Sequence, residues 1–205
     1  MLKEKLTKKN FMEIVLRMTP IDWLIFLIAI AAHAPLIIGI IKKRDDTSQT
    51  FTTWGLYFLL DVINMFSTME KNGSYVILFG FSVGSFLMSA ILFYQKRINW
   101  TRLETVITFL VFLCIGAWYV SGPYWTIIFG IASETIVGIY LIIKTYRNPD
   151  YKYNLSGYMM FFIVSTLTMV TAKDLSIPQI GYAFTETILN IIIIIPLAKK
   201  WWIER

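Results

Sequence analysis

Four ionisable side chains stand near the middle of four different apolar runs: His33, Asp61, Glu134 and Glu186. A charge at mid-bilayer costs a few kcal/mol even on the lenient insertion scale, so each of these groups needs a reason to be there. A carboxylate withdrawn from water keeps its proton to higher pH, which is what proton coupling requires. Imidazole titrates near neutrality without help. Asp61 and Asn64 are three residues apart, and Glu186 and Asn190 four apart, so each pair shares one helical face. The reading is a solute site using Trp54, Asn64, Asn190 and His33, with Asp61, Glu134 and Glu186 as proton acceptors. The competing reading makes the acids hydrogen-bonded or ion-paired packing elements and has His33 donate to a backbone carbonyl.

The chain that must position these groups has 205 residues, 57% of them hydrophobic and 16% charged, with a mean hydropathy of +0.62. One soluble core of this size cannot hide that much apolar surface, so a bilayer is the natural solvent. Runs long enough to span hydrocarbon fall at roughly Ile21–Ile41, Phe51–Met69, Tyr75–Tyr94, Leu103–Val120, Tyr124–Lys144, Leu155–Thr171 and Ile177–Leu197. Short connections leave no room for a soluble domain. The expected fold is an all-α integral membrane protein with seven transmembrane helices.

Trp23, Trp54, Trp100, Trp118, Trp125, Trp201 and Trp202 lie at or near segment ends, where amphipathic rings favour the headgroup region. Interfacial anchoring accounts for most of them; Trp54 stays open, because its segment carries polar residues deeper in. The net charge of +6 sits in alternate connections: Lys42, Lys43 and Arg44; Lys96, Arg97 and Arg102; Lys144, Arg147 and Lys152; and Lys199, Lys200 and Arg205 at the end. The opposite connections hold only Lys71 and Lys173. That pattern sets topology rather than nucleic-acid binding, with the N-terminus outside and the C-terminus cytoplasmic. The basic tail (Lys3, Lys5, Lys8, Lys9, Arg17) disagrees; its apolar residues approximate one helical face, consistent with lying on the membrane. Ala32-His33-Ala34 imitates a signal-peptide cleavage site, but the apolar run continues past it to Ile41, so a retained first helix is expected.

Sliding the chain over itself by 102 residues pairs Ile37–Lys42 (IIGIIK) with Ile139–Lys144 (IYLIIK), and Gly55, Val62, Lys71 and Ser74 with Gly157, Val164, Lys173 and Ser176. Segments and basic loops fall in step as well. Three helices repeated around a single linker keep the same orientation, giving two parallel repeats about an axis along the membrane normal. The organisation is then an amphipathic tail (1–20), a first three-helix repeat (21–98), a linker helix (99–121), a second repeat (122–200) and a short tail (201–205). The fourth segment is read as an inert spacer carrying Cys114. At this offset His33 faces Thr135, Asp61 faces Ile163 and Pro35 faces Val137, so the chemistry is not duplicated.

This plan resembles the SWEET and PQ-loop transporter superfamily, and an uncharacterised group of bacterial membrane proteins of the same layout. The nearest local likeness runs from Pro35 to Trp54: a helix with proline, a basic loop with small polar residues, then a helix opening near tryptophan. The resemblance implies a solute site between the repeats, with asparagines on the third and seventh helices at the solute. Asn190 matches that role in kind, while the third-helix position is Met88 or Ser89. The PQ dipeptide is missing after Pro35, and Pro178-Gln179 opens the seventh helix instead. Of the four hinge prolines of SWEET transporters only Pro35 has a counterpart; Gly55, Gly138 and Gly157 are alternative flexible points or packing residues.

Other chemistries are weaker. One cysteine and one histidine exclude a Cys/His metal cluster, and no cofactor is expected. Gly80-Phe-Ser-Val-Gly84 spells G-x-S-x-G but lies inside an apolar helix rather than a strand-turn-helix, so its small residues read as a packing face. A retinal protein would need a lysine at mid-depth in the last helix, and Lys199 and Lys200 lie at its end. The expected function is a small-solute transporter of a bacterial plasma membrane, proton-coupled through the acids, not an enzyme. The alternative is a receptor or accessory subunit that keeps the fold without transporting. Lipid and a small solute are the expected partners; the number of copies is left open.

Overall fold

In the computed structural model, the described residues are 18–42, 51–98, 100, 102–147 and 151–203. The N-terminal tail and most of the first basic loop lie outside them. The described residues are helical with no strands, and form seven helices: α1 (Pro20–Ile41), α2 (Phe51–Glu70), α3 (Val76–Tyr94), α4 (Arg102–Ser121), α5 (Pro123–Arg147), α6 (Tyr151–Val170) and α7 (Ile177–Ile203). Four of them are long and apolar enough to cross a membrane: α1, α3, the Glu104–Ser121 part of α4, and α7. Shorter apolar stretches occupy Pro123–Ile139 and Leu155–Val170. Polar residues directed into the protein dilute the hydropathy of α2.

Local chemistry explains the helix ends. Thr19 and Asp22 form a capping box at the start of α1, with Pro20 in the first turn where no N–H is missed. Pro35 cannot donate to the carbonyl four residues back, and α1 is interrupted at 32–33 before resuming as Ala34–Ile41. Asn72 and Lys96 adopt the left-handed conformation (φ 55° and 57°) just after α2 and α3. There Gly73 N–H bonds Thr68 O and Arg97 N–H bonds Leu92 O, satisfying carbonyls at the helix ends. The seventh helix opens with a wide π turn, Ile177–Gly181, started by Pro178.

The packing follows a regular scheme. Among α1–α3, α3 packs on both α1 and α2; among α5–α7, α7 packs on both α5 and α6. Across the middle, α1 packs on α6 and α2 on α5, while α4 lies against α5 and α2. Buried positions recur along the chain. On α1 they include Ile25, Ala29, Ala32, His33 and Leu36; on α5 they include Thr126, Gly130, Ser133, Glu134 and Val137, each 101 residues later. On α2, Thr53, Trp54, Tyr57, Leu60, Asp61 and Asn64 match Gly157, Tyr158, Phe161, Val164, Ser165 and Thr168 on α6 at 104. On α3, Leu78, Phe81, Ser82, Met88, Ser89 and Leu92 match Gln179, Tyr182, Ala183, Leu189, Asn190 and Ile193 on α7 at 101.

These spacings differ from the offset of 102 at which the short identities fall. At 102, His33 falls on Thr135, which is only half-buried; at 101 it falls on buried Glu134. The short identities around the lysines follow a different register from the inward faces. Gly55 and Gly157 likewise meet different neighbours, Ser89 on α3 and Ala32 O on α1 respectively.

The fourth helix is not chemically blank. Glu104 is buried at its start and accepts a hydrogen bond from Thr53 of α2. It sits at a segment end, where an acid reads as solvated until packing covers it. The G-x-S-x-G segment packs as a helix: Ser82 Oγ bonds Leu78 O, Gly80 faces Ala29, and Gly84 faces the His33 ring.

Candidate solute site between the helices

Near the centre of the protein six helices surround a cavity of about 90 Å³. It is well below the ~300–1,000 Å³ of pockets for drug-sized ligands. His33 from α1, Trp54 and Asp61 from α2, Glu134 from α5, and Glu186 and Asn190 from α7 all line it. The ionisable groups picked out by depth alone therefore meet in one space. Depth was visible in the sequence; the facing of each helix is what packing adds.

Asp61 is buried on the second turn inward from Trp54 and accepts two hydrogen bonds across helices. Ser85 Oγ of α3 donates to Oδ2 at 3.1 Å, and Tyr182 OH of α7 donates to Oδ1 at 3.2 Å. One carboxylate thus ties α3 and α7, helices of the two halves, to α2. Glu186 is half-buried, and its Oε2 accepts from Asn190 Nδ2 at 3.2 Å, the pairing expected of a four-residue spacing. The same Nδ2 donates to Glu186 O at 2.6 Å. Glu134 is buried, and its Oε1 has no hydrogen-bond partner among the described residues; the same is true of Tyr57 OH, also at the cavity. Buried polar atoms without partners are uncommon, and these two face the cavity.

His33 is buried, and its Nδ1 lies 3.0 Å from Ala29 O. A carbonyl only accepts, so Nδ1 carries the hydrogen, and in the neutral ring Nε2 is an acceptor. His33 thus donates to a carbonyl and also faces the cavity. Three aromatic rings meet its edge or face, Trp54 at 5.8 Å, Phe81 at 5.9 Å and Phe161 at 5.0 Å. Trp54 is itself buried, whereas Trp23, Trp100, Trp125 and Trp202 are exposed as interfacial anchors are.

Asn64 is the exception among the candidate residues. It is buried one turn beyond Asp61, does not line the cavity, and rests against Gly130 of α5, where a Cβ would collide with its amide. Neither amide atom has a partner among the described residues. Sharing a face with Asp61 brought it inward, but the close approach of α5 closes the space at its level.

Several residues of the site were not expected from sequence. Tyr57, Phe81, Tyr158, Phe161 and Tyr182 build most of the wall, and in an apolar helix such rings look like ordinary core. Gln179, dismissed with the misplaced PQ dipeptide, joins the two halves at one end of the bundle. Its Nε2 donates to Asn72 O and its Oε1 accepts from Ser74 Oγ, both at 2.8 Å, while Ser74 N–H bonds Pro178 O at 3.2 Å.

No family model, curated protein or solved structure matches this chain. The site therefore has to be read from its own chemistry. Among the described residues no three His, Cys, Asp or Glu side chains come together as a metal site.

Proposed function

We propose that the chain is a small-solute transporter of a bacterial plasma membrane, its seven helices all crossing the bilayer as two parallel three-helix repeats joined by α4. The observation that carries this reading is the cavity's twofold character. His33 and Glu134, Trp54 and Tyr158, Tyr57 and Phe161, Phe81 and Tyr182, and Ser85 and Glu186 occupy equivalent positions in the two burial patterns, and all ten residues line the cavity. A site on the axis between two repeats is where a rocking motion exposes it to each side in turn. The matching helix order in the two halves, and the cross-contacts α1–α6 and α2–α5, support the same plan.

By loop charge the N-terminus lies outside and the C-terminus in the cytoplasm. The Asn72–Ser74 corner and the start of α7 then close the outer side. A SWEET-like family membership is part of this proposal, with Ser89, not Met88, as the third-helix counterpart of Asn190 in the burial register. A non-transporting relative would be favoured by acids turned away from any cavity, which is not the arrangement found.

The test is uptake by proteoliposomes containing the purified chain, screened over sugars, amino acids, amines and vitamins with and without a pH gradient. The expected result is saturable uptake of one solute class that Asp61→Asn and Glu186→Gln strongly reduce. Absence of uptake for every class, with protein correctly folded and oriented, would overturn the reading.

A further inference from the structure

Three carboxylates face the cavity, and among the described residues no Lys or Arg lines it. His33, the one basic side chain among the described lining residues, commits its Nδ1 hydrogen to Ala29 O. Buried acids need a compensating positive charge when ionised. Among the described residues the acids do not converge as a metal site, which leaves room for a cation whose charge is spread over a larger surface. The walls fit that description. Six rings surround the space, Trp54, Tyr57, Phe81, Tyr158, Phe161 and Tyr182, with Phe81 and Phe161 meeting edge to face at 5.3 Å and 85°. Aromatic walls beside acids attract alkylated ammonium groups, whose charge is shared among carbons that bury well against rings. A volume of about 90 Å³ is well below that of pockets for drug-sized ligands, so the solute is small. A carboxylate on the solute would meet Asp61, Glu134 and Glu186.

We propose that the cavity takes a small organic ammonium ion carrying no carboxylate, and that protons compete with it for the same three acids. The unpartnered Glu134 Oε1 and Tyr57 OH supply the free acceptor and the free polar edge for such a guest. The titratable groups facing the space are His33 from α1, Tyr57 and Asp61 from α2, Glu134 from α5, Tyr158 from α6, and Tyr182 and Glu186 from α7; α3 contributes Phe81 and Ser85, which do not titrate. Loading the cation releases protons, and protons entering from one side expel it, so transport of this solute would run as an exchange. This inference rests on the transporter reading only for that last step.

The experiment measures binding to the full chain in lipid nanodiscs, by calorimetry and by Trp54 fluorescence. The probes are tetramethylammonium, choline, 3,3-dimethylbutan-1-ol (choline with carbon in place of nitrogen) and glycine betaine, which adds a carboxylate to the same head group. Tetramethylammonium and choline are expected to bind at least about tenfold more tightly than the neutral or carboxylated probe, and more tightly at pH 8 than at pH 6. Glu134→Gln weakens the ammonium probes and spares the neutral one; the comparison among probes on the unaltered chain stands even if that variant fails to fold. Equal binding of choline and its carbon isostere, equal binding of betaine, or affinity indifferent to pH would each overturn the proposal. Proteoliposome flux separates it from the transporter reading: ammonium bound but never moved overturns transport alone, and uptake of glucose or another neutral solute without ammonium binding overturns the ammonium site alone.

Discussion

The two halves of the bundle share a pattern of burial and differ in what they place on it. Where α1 carries His33, α5 carries Glu134; where α2 carries Asp61, α6 carries Ser165; where α3 carries Ser85, α7 carries Glu186. No acid faces its own copy. Side chains at equivalent positions beside an axis approach one another, and two ionised carboxylates there would repel in a medium that screens little. Alternating the acid with histidine or a hydroxyl keeps three acids in the cavity with none at the equivalent position of another. The shared pattern of burial supplies the frame, and the residues placed on it supply the chemistry.

The largest effect tests Asp61 against its counterpart. Asp61→Asn removes one of the two carboxyl oxygens that accept from Ser85 and Tyr182, together with the titratable group, and uptake should fall by about 10- to 100-fold. Ser165→Ala, at the equivalent place, should change uptake by less than about threefold, because Ser165 bonds Phe161 O and Thr187 away from the cavity. Equal losses from the two would mean the halves do not divide the labour this way. Next, exchanging the pair as His33→Glu with Glu134→His should recover part of the uptake that either single change loses, a non-additivity read in the same flux assay. Additive losses would break the equivalence of those positions.

A smaller effect concerns stability. Gly84 has no room for a Cβ beside His33, whereas its counterpart Thr185 already carries a side chain, bonded to Gly181 O at 3.0 Å. Gly84→Ala should cost about 1–3 kcal/mol in thermal or denaturant unfolding, and Thr185→Ala within ~1 kcal/mol. The smallest effect lies at the exposed α6–α7 connection. Asp174 accepts from Ser176 N–H at 2.8 Å, and its bonds to Ser176 hold its carboxyl below the usual carboxylate range. A depressed folded-state pKa contributes stability at neutral pH that is lost as the pH falls through it. The melting temperatures of the parent and Asp174→Asn should thus differ slightly at pH 7 and converge in acid.

Much of the frame was legible in the sequence because hydrocarbon imposes a length on apolar runs and a cost on charge. Both rules work residue by residue, so the seven segments and His33, Asp61, Glu134 and Glu186 could be found without knowing which helices touch. Facing could not. Asn64 and Asp61 share one side of α2, yet Gly130 seals the first and leaves the second open. The match of IIGIIK with IYLIIK falls at 102, while the inward faces recur at 101 and 104, a pattern of burial that sequence does not display. Glu104 and Gln179 escaped notice at helix ends, where polar residues are common and only packing shows that they are enclosed. The aromatic wall was hidden by resemblance to ordinary core.

The corner at Gly73 has a mechanical consequence. Any side chain there would run into the carbonyl of Pro178 and the methyl of Thr68, at the place where Ser74 and Gln179 clasp the two halves. A single methyl at position 73 would act as a wedge driven into a clasp. In the proposed transporter it would shift the resting balance toward a form parted at that end while leaving every cavity residue unchanged, so that how long the door stands open could be altered without touching what passes through it.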